Sequence, residues 1–126
     1  MNQKKYLNLK NQYSIGKLPN KLKYIVSPNP YHNTVSILFM VRVGSRNETP
    51  QEYGLAHYLE HMLFKGNRTY PTYKKLNLKL DQIHAETNAY THKHYTAYYI
   101  KLPARNFDIG LEVLREMIFY SNLDPK

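Results

Sequence analysis

His57, Glu60 and His61 are the residues whose types and spacing can do chemistry. On a helix, His57 and His61 stand one turn apart, about 40° from each other around the axis, and Glu60 lies about 60° to the other side of His57. Two imidazoles at this spacing suit zinc. A carboxylate beside them can serve as general base toward a water, so the chemistry is metal-assisted hydrolysis. The chain contains no cysteine, so a metal must be held by His, Asp or Glu. Leu55, Tyr58, Leu59, Met62 and Leu63 fall on the side away from the histidines, which predicts a helix that buries this stripe and turns its polar face to a cleft.

The order His-x-x-Glu-His is the inverted zinc-peptidase motif, in which the glutamate is the base and not a ligand. Gly44-Ser45-Arg46-Asn47-Glu48 stands ahead of it and Phe64-Lys65-Gly66 follows. Asn88-Ala89-Tyr90-Thr91 and Thr96-Ala97-Tyr98-Tyr99 come later. On these segments, residues 15–125 resemble the pitrilysin and insulysin family of zinc metallopeptidases, which includes the mitochondrial processing peptidase.

The resemblance implies that His57 and His61 hold Zn2+ and that Glu60 is the catalytic base. It also implies that Asn88, Ala89 and Thr91 lie on an edge strand to which an extended peptide substrate adds. Phe64 falls on the histidine face of the helix, where it can wall the substrate pocket or serve as a buried aromatic. The family's third ligand is a glutamate about 77 residues beyond the second histidine, near position 138, as a catalytic zinc with three protein ligands requires. The chain ends at Lys126. Glu86, Glu112, Glu116, His84, His92 and His94 are the other donors at hand, with Glu112 and Glu116 read as solvent-facing partners of neighbouring basic residues. Two positions depart from the family pattern: His84-Ala85 replaces paired glycines, and Lys21 replaces a glycine after Pro-Asn.

The expected function is a zinc metalloendopeptidase, inactive as this chain alone and working with further pitrilysin-type domains in the same or a partner chain. The alternatives are a non-catalytic subunit serving as a protein-interaction module, and a basic nucleic-acid-binding domain. The net charge of +9 and a pI near 9.6 raise the latter. However, the lysines crowd the first residues and one helix face, where they read as solvated surface, so nucleic acid is not the expected partner.

The 126 residues suit one domain. Residues 1–14 read as a basic leader that is neither a secretory signal nor a transit peptide, and residues 15–126 as the N-terminal portion of the peptidase domain. No run of 18 apolar residues is present, so no membrane partner is expected, and the expected location is cytoplasmic.

Residues 21–26 and 34–44 read as strands that pair as an antiparallel hairpin, the second with apolar residues on both faces like a central strand. A polar loop over 44–53 leads to the metal helix. Tyr73, Leu76, Leu80 and Ile83 predict a second helix, residues 86–91 and 95–102 two strands around a tight turn, and Phe107, Leu111, Leu114 and Ile118 the core face of a third helix capped by Asn106. The order ββααββα gives an α/β sandwich, a largely antiparallel sheet with helices on one face.

Overall fold

The structure is a computed structural model that describes residues 13–123. Residues 1–12 of the expected leader lie outside the described residues. The chain forms two compact units divided between His32 and Asn33.

In the first unit, β1 (Ser14–Lys17) pairs antiparallel with β2 (Lys23–Val26) in a register that sets Ser14 opposite Val26. Leu18 N–H donates to the Leu22 carbonyl at 2.8 Å, and Lys21 N–H donates to the Leu18 carbonyl at 2.9 Å. Lys21 takes φ 70°, the left-handed backbone that glycine adopts most readily. Within this unit the partner of residues 23–26 is thus β1, a strand that the pattern did not mark. A close partner is reached through this short turn, whereas Pro28 and Pro30 interrupt the segment toward the next strand.

The second unit contains a three-stranded antiparallel sheet in the order β3 (Thr34–Val41), β5 (Thr96–Pro103), β4 (Glu86–Thr91). Val35 pairs with Leu102, Ile37 with Ile100 and Phe39 with Tyr98, while Thr87, Ala89 and Thr91 oppose Ile100, Tyr98 and Thr96. Because side chains alternate across a strand, all of these share one face. That face meets Leu76, Leu80, Ile83, Val113, Leu114 and Met117 from the helices, and the cluster is the core. Leu38 and Met40 on the other face are exposed, so β3 is covered on one side only, contrary to the two-sided burial expected from its sequence. The helices therefore occupy one face of an antiparallel sheet, as the element order predicts.

The second helix, α2 (Tyr73–Gln82), starts at Thr72, whose hydroxyl accepts from Lys75 N–H at 3.3 Å. It ends with Ala85 N–H on the Leu80 carbonyl at 2.9 Å and His84 N–H on the Asp81 carbonyl at 3.0 Å, the paired bonds of a Schellman motif. His84 takes φ 53° there, so both departures from family glycines sit at left-handed positions. Tyr73, expected in the core, is exposed at the first turn of the helix.

The third helix, α3 (Phe107–Phe119), buries Gly110, Val113, Leu114, Glu116 and Met117. Phe107 and Leu111 are exposed, which corrects the expected core stripe by a rotation toward Val113 and Met117. Asn106 occupies the N-cap position, but its side chain does not cap the helix: its Nδ2 donates to the Ile83 carbonyl at 3.0 Å and ties the start of α3 to the end of α2.

Candidate metal centre

The motif helix, α1 (Leu55–Met62), begins at Gly54, where φ is 91°. Two backbone donors at its start are met by one side chain: Glu48 accepts from Gly54 N–H at 2.9 Å and from Ala56 N–H at 2.8 Å. A carboxylate there also complements the positive end of the helix dipole. The loop ahead is bound to the β4–β5 turn by Ser45 N–H on the His92 carbonyl at 3.2 Å and Arg46 N–H on the Lys93 carbonyl at 2.9 Å. Gly44 permits this approach, since a Cβ there would lie 2.0 Å from the His92 carbonyl oxygen. The entry to α1 and the end of β4 are thus held together.

The helix lies against β4 by the side that carries Ala56, Glu60 and Leu63, which fall within about 60° of one another around the axis. Glu60 is only 7% exposed and Leu63 is buried. Leu55, Tyr58 and Leu59 are exposed, Tyr58 by 62%, so the expected burial of that stripe is corrected. What packs on the sheet is the carboxylate side, which a hydrophobicity pattern cannot select. Phe64, just past the helix, is partly buried against the core.

His57 and His61 flank this contact and are exposed. Their Nε2 atoms are 3.0 Å apart, with ring centroids separated by 4.6 Å and planes inclined at 64°. Two nitrogens bound tetrahedrally to one zinc at 2.0–2.1 Å would be about 3.3 Å apart. The pair therefore fits two ligands of a zinc ion, with a bridging proton as the alternative occupant that metal binding would release.

Glu60 points elsewhere. Its Oε2 accepts a hydrogen bond from Thr91 Oγ1 on β4. Burial, helped by the negative charge of Glu60, pushes the Tyr98 hydroxyl up to about 12. Thr91 is fixed in turn: it opposes Thr96, whose hydroxyl donates to the Val43 carbonyl at 2.9 Å.

Among the described residues no three His, Asp or Glu side chains gather in metal-binding geometry. Glu86, Glu112, His84, His92 and His94 are exposed and apart from the pair. His92 stacks on Tyr95 with centroids 5.1 Å apart. Glu116, expected to face solvent, is instead 2% exposed. It accepts from Arg68 Nη2 at 2.8 Å and from Thr69 Oγ1 at 2.9 Å, with Arg115 at 3.5 Å. Burial pushes its carboxyl up, but the Thr69 hydroxyl and the two guanidinium groups outweigh this and hold it below the usual carboxylate range. Glu116 anchors the segment that follows α1, alongside Asn67, which is fully buried and accepts from Tyr70 N–H at 2.7 Å.

Ala89 and Thr91 share the core face of β4, while Asn88 lies on the opposite, open face. His92 N–H donates to the Tyr95 carbonyl at 2.8 Å, so by ladder alternation the main-chain groups of Thr87, Ala89 and Thr91 point to the edge that no strand among the described residues pairs. Ala89 N–H is met there by Asn88 Oδ1 at 2.9 Å. Sequence reasoning missed the cap made by Glu48 and the nearness of Tyr98 to Glu60. An acidic residue just ahead of a predicted helix start signalled the first, and only the strand register reveals the second.

An antiparallel sheet with helices on one face, a motif helix laid along its edge strand and a histidine pair on one turn of that helix make up the second unit. The sequence profile of the insulinase family, peptidase family M16, matches residues 23–126, and the chain belongs to that family. An uncharacterized zinc protease of Bacillus subtilis is 37% identical over 105 residues, 83% of this chain and 25% of that protein. The beta subunit of the mitochondrial processing peptidase of Blastocladiella emersonii is 34% identical over 111 residues, 88% of this chain and 24% of that protein. A crystal structure of a Helicobacter pylori protease superimposes with a TM-score of 0.82 at 28% identity, covering 90% of this chain and 27% of that one. The chain thus spans about a quarter of the length of these relatives.

Proposed function

We propose that this chain carries the metal-binding and proton-transfer part of a zinc-dependent endopeptidase acting on extended peptides. The observation that supports it best is the convergence of His57 and His61 Nε2 at 3.0 Å beside a buried carboxylate that does not join them. The two histidines would hold zinc, which supplies an activated water and an electrophile for the peptide carbonyl. Glu60, fixed by Thr91, would take the proton of the attacking water and return it to the leaving amine. The open edge of β4 would receive the substrate main chain, positioned by the outward groups of Ala89 and Thr91. Asn88 Oδ1 would have to release Ala89 N–H for that strand to add.

A glutamate near position 138, or one from a partner chain, would supply the third ligand, and further pitrilysin-type domains would enclose the peptide. This chain alone should therefore bind zinc weakly and leave a quenched peptide uncut. Zinc titration of the chain and of His57→Ala, His61→Ala and Glu60→Gln is the test. The alanine variants should lose binding and Glu60→Gln should keep it. Equal loss in all three would make Glu60 a ligand, and tight binding with chelator-sensitive cleavage by the unmodified chain would place a third ligand within it.

A further inference from the structure

We infer that Thr91 is a positioning residue that keeps Glu60 off the metal, and so keeps it a base; this rests on the zinc reading above. Glu60 is covalently next to His61 and one helical turn from His57. A glutamate so placed has three rotatable bonds with which to swing its carboxylate toward an ion held by those rings. A chain that offers zinc two nitrogens invites a carboxylate to complete the set. Yet Glu60 is turned into the crevice between α1 and β4 while both imidazoles remain exposed.

The side chain that holds it there is Thr91, through Oγ1 to Glu60 Oε2. Threonine suits a fixed donor because its branched Cβ restricts χ1. Its backbone is set by the Thr91–Thr96 pair, and Thr96 is pinned to Val43. The hydroxyl therefore comes from the sheet, an element independent of the helix that carries the histidines. Among the described residues only Oε2 of the carboxylate is engaged, which leaves Oε1 for a water proton.

Zinc affinity reads this directly. Calorimetric titration would compare the unmodified chain with Thr91→Val, Thr91→Ser, Glu60→Gln and the Thr91→Val/Glu60→Gln double variant, each checked for native far-UV dichroism. Thr91→Val removes the hydroxyl at constant shape and should bind zinc about tenfold or more tightly as Glu60 becomes a ligand, a change of the size that ligand-shell alterations produce. Thr91→Ser, which keeps the donor, should match the unmodified chain. The double variant should lose the gain. Unchanged or weaker binding by a folded Thr91→Val, or a gain that survives Glu60→Gln, overturns the proposal while leaving the zinc site standing. Absence of zinc binding from every chain overturns the zinc reading and this proposal with it.

Discussion

Glu60 on α1 and Glu116 on α3 are both helical carboxylates packed out of solvent, and their surroundings divide them. Glu116 meets two guanidinium groups and a hydroxyl, so its charge is neutralised and its oxygens are occupied. Glu60 meets one hydroxyl and no cation within salt-bridge distance among the described residues. A buried charge that is fully paired is a fastener, because removing its partners would leave an uncompensated ion. One with an oxygen unengaged among the described residues, beside a histidine pair, is what the proposed function needs for proton transfer.

The largest expected effects lie in exchanging the two roles. Glu60→Gln should lower peptide hydrolysis by about 10²- to 10⁴-fold in any active assembly, with little change in the unfolding midpoint. Glu116→Gln should do the reverse, lowering the midpoint clearly while zinc uptake by the folded fraction persists. Turnover of a quenched peptide and chemical denaturation, run side by side, check the crossing. If both substitutions acted alike on stability, the division would fail.

Acid should separate them next. The folded-state Glu116 carboxyl titrates below its unfolded value, so the unfolded chain binds that proton more readily. Its contribution is thus present above the usual carboxylate range and is lost as pH falls through the lowered value. Denaturation curves should lose this increment on acidification, and Glu116→Gln should flatten that part of the profile. Glu48 extends the comparison to a carboxylate with backbone donors alone. Glu48→Ala should cost about 1 kcal/mol, the usual loss for a helix cap, measured by urea unfolding. The smallest change concerns α2, where the Schellman position holds His84. His84→Gly should relieve left-handed strain and raise stability by roughly 0.5 to 1 kcal/mol after the added freedom of the unfolded chain is deducted. A fall in the midpoint would mean that the imidazole contributes more than its backbone costs.

Much of the fold was legible because period and punctuation agree. The Leu76, Leu80, Ile83 spacing named the buried face of its helix, and the alternation in residues 34–41 marked a strand whose Val35, Ile37 and Phe39 face the core, though not that Leu38 and Met40 stay exposed. The motif was legible because chemistry ties it to helical geometry. What escaped the sequence was partner choice. Nothing local says that β2 pairs with β1, or that α1 packs by Glu60 instead of Tyr58. Glu116 looked like a surface residue because its partners Arg68 and Thr69 lie 48 and 47 positions away. Such pairings depend on the register of distant elements, and one-dimensional periodicity does not contain it.

The edge position of β4 also gives that strand two clocks. Its ladder alternation locks the amide protons of Asn88 and Tyr90 against β5, whereas those of Thr87 and Thr91 face outward. In deuterated water the first pair can exchange only when the sheet opens, while the second can exchange from the intact fold. Neighbouring amides in one strand thus report two different events, global opening and traffic at the edge. Anything that adds to β4 should slow Thr87 and Thr91 while leaving Asn88 and Tyr90 largely unchanged.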